Sequence, residues 1–344
     1  MSELIPVNVL TGFLGSGKTT LLNRLLSDPA FANCAVLINE FGAIGIDHHL
    51  VSAIDGDVTV LSSGCVCCTV RGDLSAAMRS LFDQRERGQI PSFVRMIVET
   101  TGLADPVPVV STVMHDRVLR HHFRVGNVLT TIDAVNGRDN LERYPECLKQ
   151  AALADRLVLT KLDLAGHDDV EALLERLRQV NPVAKVVQAG QAGVDAQILL
   201  GDDVFEVETK SREVMRWLEA AHNPQYLAVR TSRAAAADAS VHRDIRAFAL
   251  ILPDAIDWTV FSIWLSLLLH THGDKVLRVK GLLNVAGADT PVVIHGVQQL
   301  VHPPTHLDRW PDEDRRSRLV FIVQGLEANT IEASLAAYQL AYSA

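Results

Sequence analysis

The sequence predicts an α/β fold in which a doubly wound, mostly parallel sheet carries helices on both faces and precedes a smaller C-terminal α+β domain. Three observations lead to this prediction. Over about the first 200 residues, short apolar runs alternate with helical periodicity, as in parallel sheets. A glycine-rich loop joins the first apolar run to the first helical stretch, and after about residue 239 the pattern becomes β-α-β-β-β-α. We therefore expect domains at 1–205 and 241–344, joined by a linker helix and loop at 206–240.

Composition narrows the class of protein. The chain has 344 residues, 48% hydrophobic and 21% charged, which is enough for a sizeable core. Its net charge is −9 and no lysine- or arginine-rich run stands out, so we expect no nucleic-acid partner. The most apolar run, 259–269, is shorter than the ~20 residues that span a bilayer, and the N-terminus lacks a signal-peptide pattern. We expect a cytoplasmic protein without a membrane partner.

The first element is a strand, predicted at 5–10, that leads into the loop GFLGSGKTT and a leucine-rich helix at 19–27. The loop has the P-loop pattern G-x-x-x-x-G-K-T in the strand–loop–helix context that this motif requires. Its N–H groups would cradle phosphate oxygens, Lys18 would reach the β- and γ-phosphates, and the Thr19 hydroxyl would bind Mg²⁺. The predicted phosphate-binding residues are Gly12, Gly15, Ser16, Gly17, Lys18, Thr19 and Thr20.

A second apolar strand at 35–38 ends in the loop Asn39-Glu40-Phe41-Gly42. Loops at the carboxyl ends of strands hold the ligand in doubly wound sheets, so Glu40 is expected near the phosphates and Mg²⁺. The segment continues through His48 and His49 and is a plausible switch region.

Three cysteines follow a third strand at 58–61, in a predicted loop that precedes a helix at 73–86. Cys65, Cys67 and Cys68 occupy three of four positions, which argues for a reducing compartment and for metal or redox chemistry. Thiolates suit Zn²⁺, Co²⁺ or Cu⁺, and Glu40 or a histidine of the neighbouring loop could complete the ligand set. A structural metal knuckle and a redox pair remain alternatives.

A strand at 93–98 leads into Glu99-Thr100-Thr101-Gly102. After a P-loop, an acidic residue at the end of an apolar strand is the Walker B arrangement, which holds Mg²⁺ through water. Gly102 would let the next loop approach the γ-phosphate closely. Lys18, Thr19 and Glu99 are therefore the predicted catalytic residues.

Two further strands, at 128–132 and 157–159, precede Thr160-Lys161-Leu162-Asp163. This segment has the form of the guanine-reading motif N-K-x-D, with threonine in place of asparagine. Asp163 would accept hydrogen bonds from the N1–H and amino group of guanine, which adenine does not offer, and the Lys161 stem would lie along the base. A helix at 171–180 and a strand at 184–188 complete the domain.

The second half contains no nucleotide motif. A connecting helix is predicted at 212–221, and the C-terminal domain follows. His270 and His272 at the end of its first helix are candidates for metal transit. The predicted elements of this domain are strands at 245–250, 276–285, 291–298 and 317–324 and helices at 257–269 and 327–338.

The order of these motifs resembles the CobW family of P-loop GTPases, relatives of the nickel-insertion GTPases. The segments 277–281 and 310–321 also look like the C-terminal domain of that family. The resemblance covers nearly the whole chain and implies GTP hydrolysis, with GTP/GDP and Mg²⁺ as cofactors, coupled to handling of Zn²⁺, Co²⁺ or iron through the C-x-C-C motif. Ala43 stands where many members carry a second acidic residue, and Thr160 replaces the asparagine.

The sequence therefore predicts a GTP-hydrolysing metallochaperone that binds Zn²⁺, or Co²⁺ or iron, through the C-x-C-C motif and delivers it to a client protein. The GTP state would control metal affinity and docking. The client would dock through the switch loops or the C-terminal domain, and a nucleotide- or metal-dependent homodimer is also consistent with the pattern. Intrinsic turnover is expected to be slow, because no water-positioning glutamine or arginine finger can be named. The alternatives are a metal-sensing GTP switch that docks on an enzyme without transferring metal, and an ATP-dependent kinase.

Overall fold

A computed structural model describes residues 4–28, 33–39, 51–53, 58–61, 66–69, 73–189, 199–200, 214–215, 217–219 and 245–342, and the side chains of 39, 51–53, 58–61 and 66–69 are outside the description. Contacts divide the chain into two compact units, Met1–Leu174 with Ala184–Gly201 and Glu175–Val183 with Asp202–Ala344. Most of the predicted linker 206–240 lies outside the described residues.

The first half of the described chain alternates strands and helices, as predicted. A 3₁₀ turn at Leu119–His121 precedes the longest strand. The elements in order are β1 (Ile5–Gly12), α1 (Lys18–Ser27), β2 (Cys34–Asn39), β3 (Val51–Ala53), β4 (Val58–Leu61), β5 (Val66–Thr69), α2 (Leu74–Glu86), β6 (Arg95–Thr100), α3 (Val107–His115), β7 (Phe123–Asp133), α4 (Gly137–Arg143), α5 (Pro145–Leu153), β8 (Arg156–Thr160), α6 (His167–Val180) and β9 (Lys185–Gln188).

Among the described residues, these nine strands form one sheet in the order β3-β4-β5-β2-β6-β1-β7-β8-β9. The strands from β5 to β9 in this order are all parallel, and β3 and β4 add an antiparallel edge. The mostly parallel sheet is thus confirmed. Because β1 lies between β6 and β7, the loop after β1 opens at the centre of the carboxyl edge, where ligands bind in such sheets.

The sheet is buried against α1 on one side. Leu21, Leu22 and Leu25 of this helix pack with Leu10 of β1 and Ile97 of β6, all at most 3% exposed. This packing fixes the start of α1 directly beyond the end of β1. The leucine repeat that identified the helix in the sequence is therefore also what anchors the glycine-rich loop.

The cysteine segment differs from its prediction. Residues Val66–Thr69 form strand β5 rather than a loop, hydrogen-bonded between β2 and β4. Cys67 is paired in register with Val36 and with Thr59. The β-branched Val66 and Thr69 favour a strand, and a run this short cannot be distinguished from a loop by periodicity. Strand β3 was also not predicted.

The C-terminal unit has the predicted order β-α-β-β-β-α, with two additional two-residue strands. Among the described residues its sheet has the order β10-β15-β11-β12-β13, is antiparallel throughout, and pairs β14 with β12. The elements are β10 (Ile245–Leu252), α7 (Trp258–His272), β11 (Val276–Leu283), β12 (Val292–Val297), β13 (Leu300–Val301), β14 (Thr305–His306), β15 (Ser317–Gln324) and α8 (Ala328–Tyr342).

Helices α7 and α8 contribute to one hydrophobic core with this second sheet. Phe261 and Trp264 of α7 pack with Phe321 of β15, and the indole N–H of Trp264 donates to Ser334 of α8 at 3.1 Å. The apolar run 259–269 is thus part of a core helix. No helix in the described part of the chain is both long and apolar enough to cross a bilayer.

Candidate functional site

The glycine-rich loop begins at a residue that cannot carry a side chain. Gly12 has φ +145°, and an added Cβ would lie 2.6 Å from the carbonyl oxygen of Thr131 and closer still to its hydroxyl. At the other end of the loop, Gly17 (φ +88°) is the N-cap of α1. The first N–H groups of α1 therefore open toward the loop, where they can bind an anion.

Lys18 lies folded over the loop. Its Nζ donates to the carbonyl oxygens of Gly12 at 2.9 Å and of Phe13 at 3.3 Å, and the residue is 7% exposed. A buried ammonium group is thereby held beside the N–H groups of the loop. The position suits a group that transfers its hydrogen bonds to phosphate oxygens when these arrive.

Thr19 and Glu99 are brought together as predicted. The Thr19 hydroxyl donates to Oε1 of Glu99 at 3.1 Å, and Glu99 is 1% exposed. Glu99 is the penultimate residue of β6, so the strand continues two residues further than predicted. A hydroxyl and a buried carboxylate are both hard oxygen donors, and this pair therefore fits Mg²⁺.

A chain of buried hydroxyl groups connects the loop to the strands beneath it. Ser16 Oγ is 2.6 Å from Thr131 Oγ1, and the Thr160 hydroxyl donates to the carbonyl oxygen of Ser16 at 2.7 Å. Thr160, which replaces asparagine in the guanine motif, thus fastens the loop to β8. Sequence reasoning missed Thr131, for which the available signal was a polar residue within an apolar strand.

The loop after β6 lies directly on the glycine-rich loop. A Cβ added to the buried Gly102 would lie 2.6 Å from Leu14 Cδ2 and 2.8 Å from Leu14 N. Helix α5 holds the other side of this loop: Gln150 Nε2 donates to the carbonyl oxygens of Gly102 at 3.3 Å and Ala104 at 2.9 Å. Gly102 is therefore in contact with the phosphate-binding loop, as its predicted role requires.

Lys161, in the segment Thr160–Asp163 that resembles the guanine motif, contacts an acidic residue that was not among the predicted site residues. Lys161, with φ +56°, donates from Nζ to Asp133 Oδ2 at 2.7 Å, and Asp133 is 5% exposed. Burial alone would raise the pKa of Asp133, but hydrogen bonds from Lys161, Asn136 and the N–H of Val135 outweigh it and hold the pKa below its usual value. Asp133 ends β7 much as Glu99 nearly ends β6, and this was the available signal.

Three predicted nucleotide ligands, Gly15, Thr20 and Asp163, are exposed. Thr20 lies in the first turn of α1, and Asp163 follows β8. Gly15 occupies the tip of the loop with φ +70°, and an added Cβ there would meet no atom within 4 Å. Solvent-facing positions of this kind are accessible to a nucleotide.

The predicted transition-metal residues are only partly described. Glu40, Ala43, His48, His49 and Cys65 lie outside the described residues, and for Cys67 and Cys68 only the backbone of β5 is described. Neither thiol can therefore be placed relative to the loop.

The described histidines and cysteines outside this motif form no metal site. His270 and His272 lie in the last turn of α7, with His270 exposed. Within the part of the chain that the structure describes, no group of three or more His, Cys, Asp or Glu side chains could hold a metal ion. Cys34 and Cys147 are buried core residues.

Comparison with known protein families matches both halves of the chain. The model of the CobW/HypB/UreG nucleotide-binding domain matches residues 6–188. The model of the cobalamin synthesis protein cobW C-terminal domain matches residues 245–339. Together the two matches cover the described strands of the two sheets except for Ile5, the first residue of β1.

Curated relatives are similar over almost the full length. The zinc chaperone YjiA of Escherichia coli is 32% identical over 333 residues, which cover 96% of this chain and 98% of that protein. The zinc chaperone CobW of a Sinorhizobium species is 27% identical over 365 residues, covering 97% of each.

Solved structures give the same result. The Zn(II)-bound YjiA GTPase of E. coli has a TM-score of 0.75 at 30% identity, covering 98% of this chain and 99% of the other. A Zn(II)-bound variant of the same protein, with one glutamate and two consecutive cysteines replaced by alanine, has a TM-score of 0.76 at 30% identity and the same coverage.

Proposed function

We propose, from the premise that this chain belongs to the CobW family of P-loop GTPases, that it is a GTP-hydrolysing metallochaperone that binds Zn²⁺ and delivers it to a client protein. The observation that carries the nucleotide half of this proposal is the hydrogen bond between Thr19 and Glu99, directly after Lys18, whose Nζ is folded over the loop. It supports the proposal because it joins the two residues expected to hold Mg²⁺ next to the lysine expected to bind phosphate.

Each residue of this site has a distinct task in GTP hydrolysis. Lys18 exchanges the carbonyl oxygens of Gly12 and Phe13 for the β- and γ-phosphate oxygens. Thr19 would hold Mg²⁺ directly and Glu99 would hold it through water, and the ion would supply neutralisation of the charge that develops on the phosphates. The N–H of Gly102 meets the γ-phosphate. Slow intrinsic turnover remains our prediction from the sequence.

Guanine recognition is assigned to the loop after β8. Asp163 accepts the two hydrogen bonds that guanine offers, and the exposed position of this carboxylate leaves it accessible to the base. The Lys161 stem lies along the ring, with its ammonium group anchored on Asp133. The loop-to-strand bond of Thr160 keeps this segment next to the phosphate loop.

Zinc is the proposed cargo, held by Cys67 and Cys68 with Cys65 and Glu40. Two observations support this proposal: thiolates are preferred zinc ligands, and the relatives YjiA and CobW are named zinc chaperones. The variant of YjiA shows that zinc still binds to that protein without a glutamate and two consecutive cysteines. A test on this chain must therefore measure the affinity of the tightest site and not merely the presence of zinc.

The decisive experiment is a zinc titration against a competing chelator, with GDP or a non-hydrolysable GTP analogue bound. Cys67→Ala is compared with Cys147→Ala, a matched loss of one thiol, because burial raises the pKa of Cys147 to about 12 and keeps it from binding metal as a thiolate. We expect Cys67→Ala alone to weaken the tightest site, and the nucleotide to change zinc affinity in wild type but not in Cys67→Ala.

Delivery is tested by following zinc from the loaded protein to an apo-acceptor during GTP hydrolysis. If the nucleotide changes zinc affinity but no zinc reaches the acceptor, the protein is a metal-sensing GTP switch and not a chaperone. Preference for ATP over GTP in a competition assay would support a kinase and contradict the role of Asp163.

In the proposed function, the client docks through the switch loops or the C-terminal domain. A nucleotide- or metal-dependent homodimer is tested by measuring the mass of the protein in solution.

A further inference from the structure

Helix α5 carries a buried polar side chain that none of the sequence motifs includes. Gln150 is 1% exposed, and its Nε2 donates to the carbonyl oxygens of Gly102 and Ala104, at 3.3 and 2.9 Å. Both acceptors belong to the loop that follows Glu99. Gln150 therefore holds the main chain of the segment that is placed against the phosphate-binding loop.

The orientation of this amide is set by its partners. Both loop acceptors are carbonyl oxygens, so only the NH₂ group of Gln150 can face them. Its Oε1 is buried and meets no donor in the described part of the chain. Buried amide oxygens are rarely left without a hydrogen bond, and one that is calls for a reason. Here the amide is turned so that its NH₂ group meets the two loop carbonyls, and this turns Oε1 away from the loop.

Two neighbouring contacts extend the same attachment. Lys149 Nζ forms an ion pair with Asp105 Oδ2 at 2.8 Å, so the loop is held at a third residue. The Tyr144 ring, immediately before α5, stacks on Phe13 of the phosphate loop with centroids 4.6 Å apart. Helix α5 and the residue before it thus contact both loops that flank the site of the γ-phosphate.

The support beneath Gln150 is rigid. The Thr130 hydroxyl of β7 donates to the main-chain oxygen of Gln150 at 3.0 Å, which fixes this turn of α5 on the central sheet. Gly102 in turn has no room to shift toward the phosphate loop, since Leu14 already occupies the space beside its Cα. The Gly102 main chain is therefore held between Leu14 on one side and the Gln150 amide on the other.

We infer that Gln150 is a positioning residue that holds the Gly102 loop where it can receive the γ-phosphate, and so selects the nucleoside triphosphate over the diphosphate. This inference rests on the proposed GTP binding at the P-loop. GDP has no γ-phosphate and does not reach Gly102, whereas GTP requires the loop in place. Loss of the clamp therefore acts on one nucleotide and spares the other, which a general loss of structure would not do.

The experiment compares the dissociation constants of GDP and of a non-hydrolysable GTP analogue, both with Mg²⁺. Gln150→Leu removes both donors at similar volume, and Gln150→Glu keeps the shape but offers only acceptors. We expect each to weaken binding of the analogue by about tenfold, the value of two neutral hydrogen bonds, and to leave GDP within about twofold. The control Ser334→Ala removes a part-buried hydrogen bond to Trp264 in the C-terminal core and is expected to leave the ratio unchanged.

A second variant protects the test against misfolding. The Lys149–Asp105 pair is about one-third exposed, so Lys149→Met removes a contact with the same loop without affecting the core. We expect Lys149→Met to weaken binding of the GTP analogue by about two- to threefold relative to binding of GDP. In nucleotide-free protein, amide hydrogen exchange of residues 101–105 is expected to accelerate in Gln150→Leu and not in Ser334→Ala.

The outcomes separate the two proposals. A wild-type protein that binds neither nucleotide overturns the proposed function, and this inference with it. The inference alone is overturned if Gln150→Leu and Lys149→Met keep the wild-type ratio of affinities for the GTP analogue and GDP. It is also overturned if both nucleotides lose affinity equally.

Discussion

The hydroxyl of Thr19 donates a 3.1 Å hydrogen bond to Oε1 of Glu99, although the two residues are 80 positions apart in the sequence. The contact joins the first turn of α1 to the end of β6. It places the two oxygen ligands expected for Mg²⁺ side by side. Because the fold holds both side chains in one arrangement, less entropy is lost when a ligand binds there.

Removing either partner should weaken Mg²⁺ binding selectively. We expect Thr19→Val and Glu99→Gln each to lower the Mg²⁺ affinity of the GTP complex by about 10- to 100-fold, because one oxygen ligand or its orienting partner is lost. The measurement is a Mg²⁺ titration of a bound fluorescent GTP analogue. Glu142→Gln, an exposed glutamate of α4, is the control; a similar loss in that variant would contradict the assignment.

The close approach of Gly12 to β7 should make that glycine irreplaceable. Gly12→Ala forces a Cβ against the Thr131 carbonyl group at φ +145°, so we expect it to reduce the free energy of unfolding by about 2–5 kcal/mol. Gly15→Ala, where an added Cβ meets nothing, should cost only about 1 kcal/mol of left-handed strain. Urea unfolding without nucleotide measures both, and equal losses would show that the contact with Thr131 is unimportant.

The Asp133–Lys161 pair predicts a pH dependence of stability. Because the pKa of Asp133 is lowered in the folded protein, its ionised form stabilises the fold above the unfolded pKa of about 4, and this stabilisation is lost as the pH falls through the folded pKa. The difference in unfolding free energy between wild type and Asp133→Asn should be constant from about pH 7 to 5 and shrink below about pH 4. A difference that grows on acidification would refute this assignment.

The guanine assignment predicts a change of base preference. Asp163→Asn replaces an acceptor with an amide whose NH₂ faces the guanine amino group, so we expect GTP to bind about 100-fold more weakly. Xanthosine triphosphate carries an oxygen at that position and should bind more tightly to the variant than to wild type. Competition against a labelled nucleotide measures both. Asp168→Asn, an exposed aspartate in the first turn of α6, should change neither affinity.

Local patterns were sufficient wherever a motif fixes its own backbone. The strand–loop–helix context of the P-loop and the β-α-β-β-β-α order of the C-terminal unit were predicted, with boundaries that shift by a few residues. Helices α3, α4 and α5 were not predicted. Their apolar repeats cover only a few residues, which gives a weak helical pattern. Helices α3 and α5 also begin at prolines, Pro106 and Pro145, which can equally indicate a turn.

Residues that act through distant contacts could not be identified in this way. Gln150 is an ordinary helical residue in the sequence, and its importance comes from two carbonyl oxygens 46 and 48 positions earlier in the chain. The cysteine segment shows the opposite problem. Its composition was conspicuous, but a four-residue run has too little periodicity to distinguish a loop from the strand that β2 and β4 impose.

Residue types and local backbone rules were enough to predict the chemical groups of this protein, namely a glycine loop with its lysine and threonine, an acidic strand end, a guanine-type motif and three clustered thiols. The three-dimensional fold was needed to show which strand ends are neighbours, and therefore that Thr19 meets Glu99, Thr160 holds Ser16, and Gln150 supports Gly102. The reason is physical, since the strand order arises from burying helices against the sheet, and no spacing within one segment records which other segment will lie beside it.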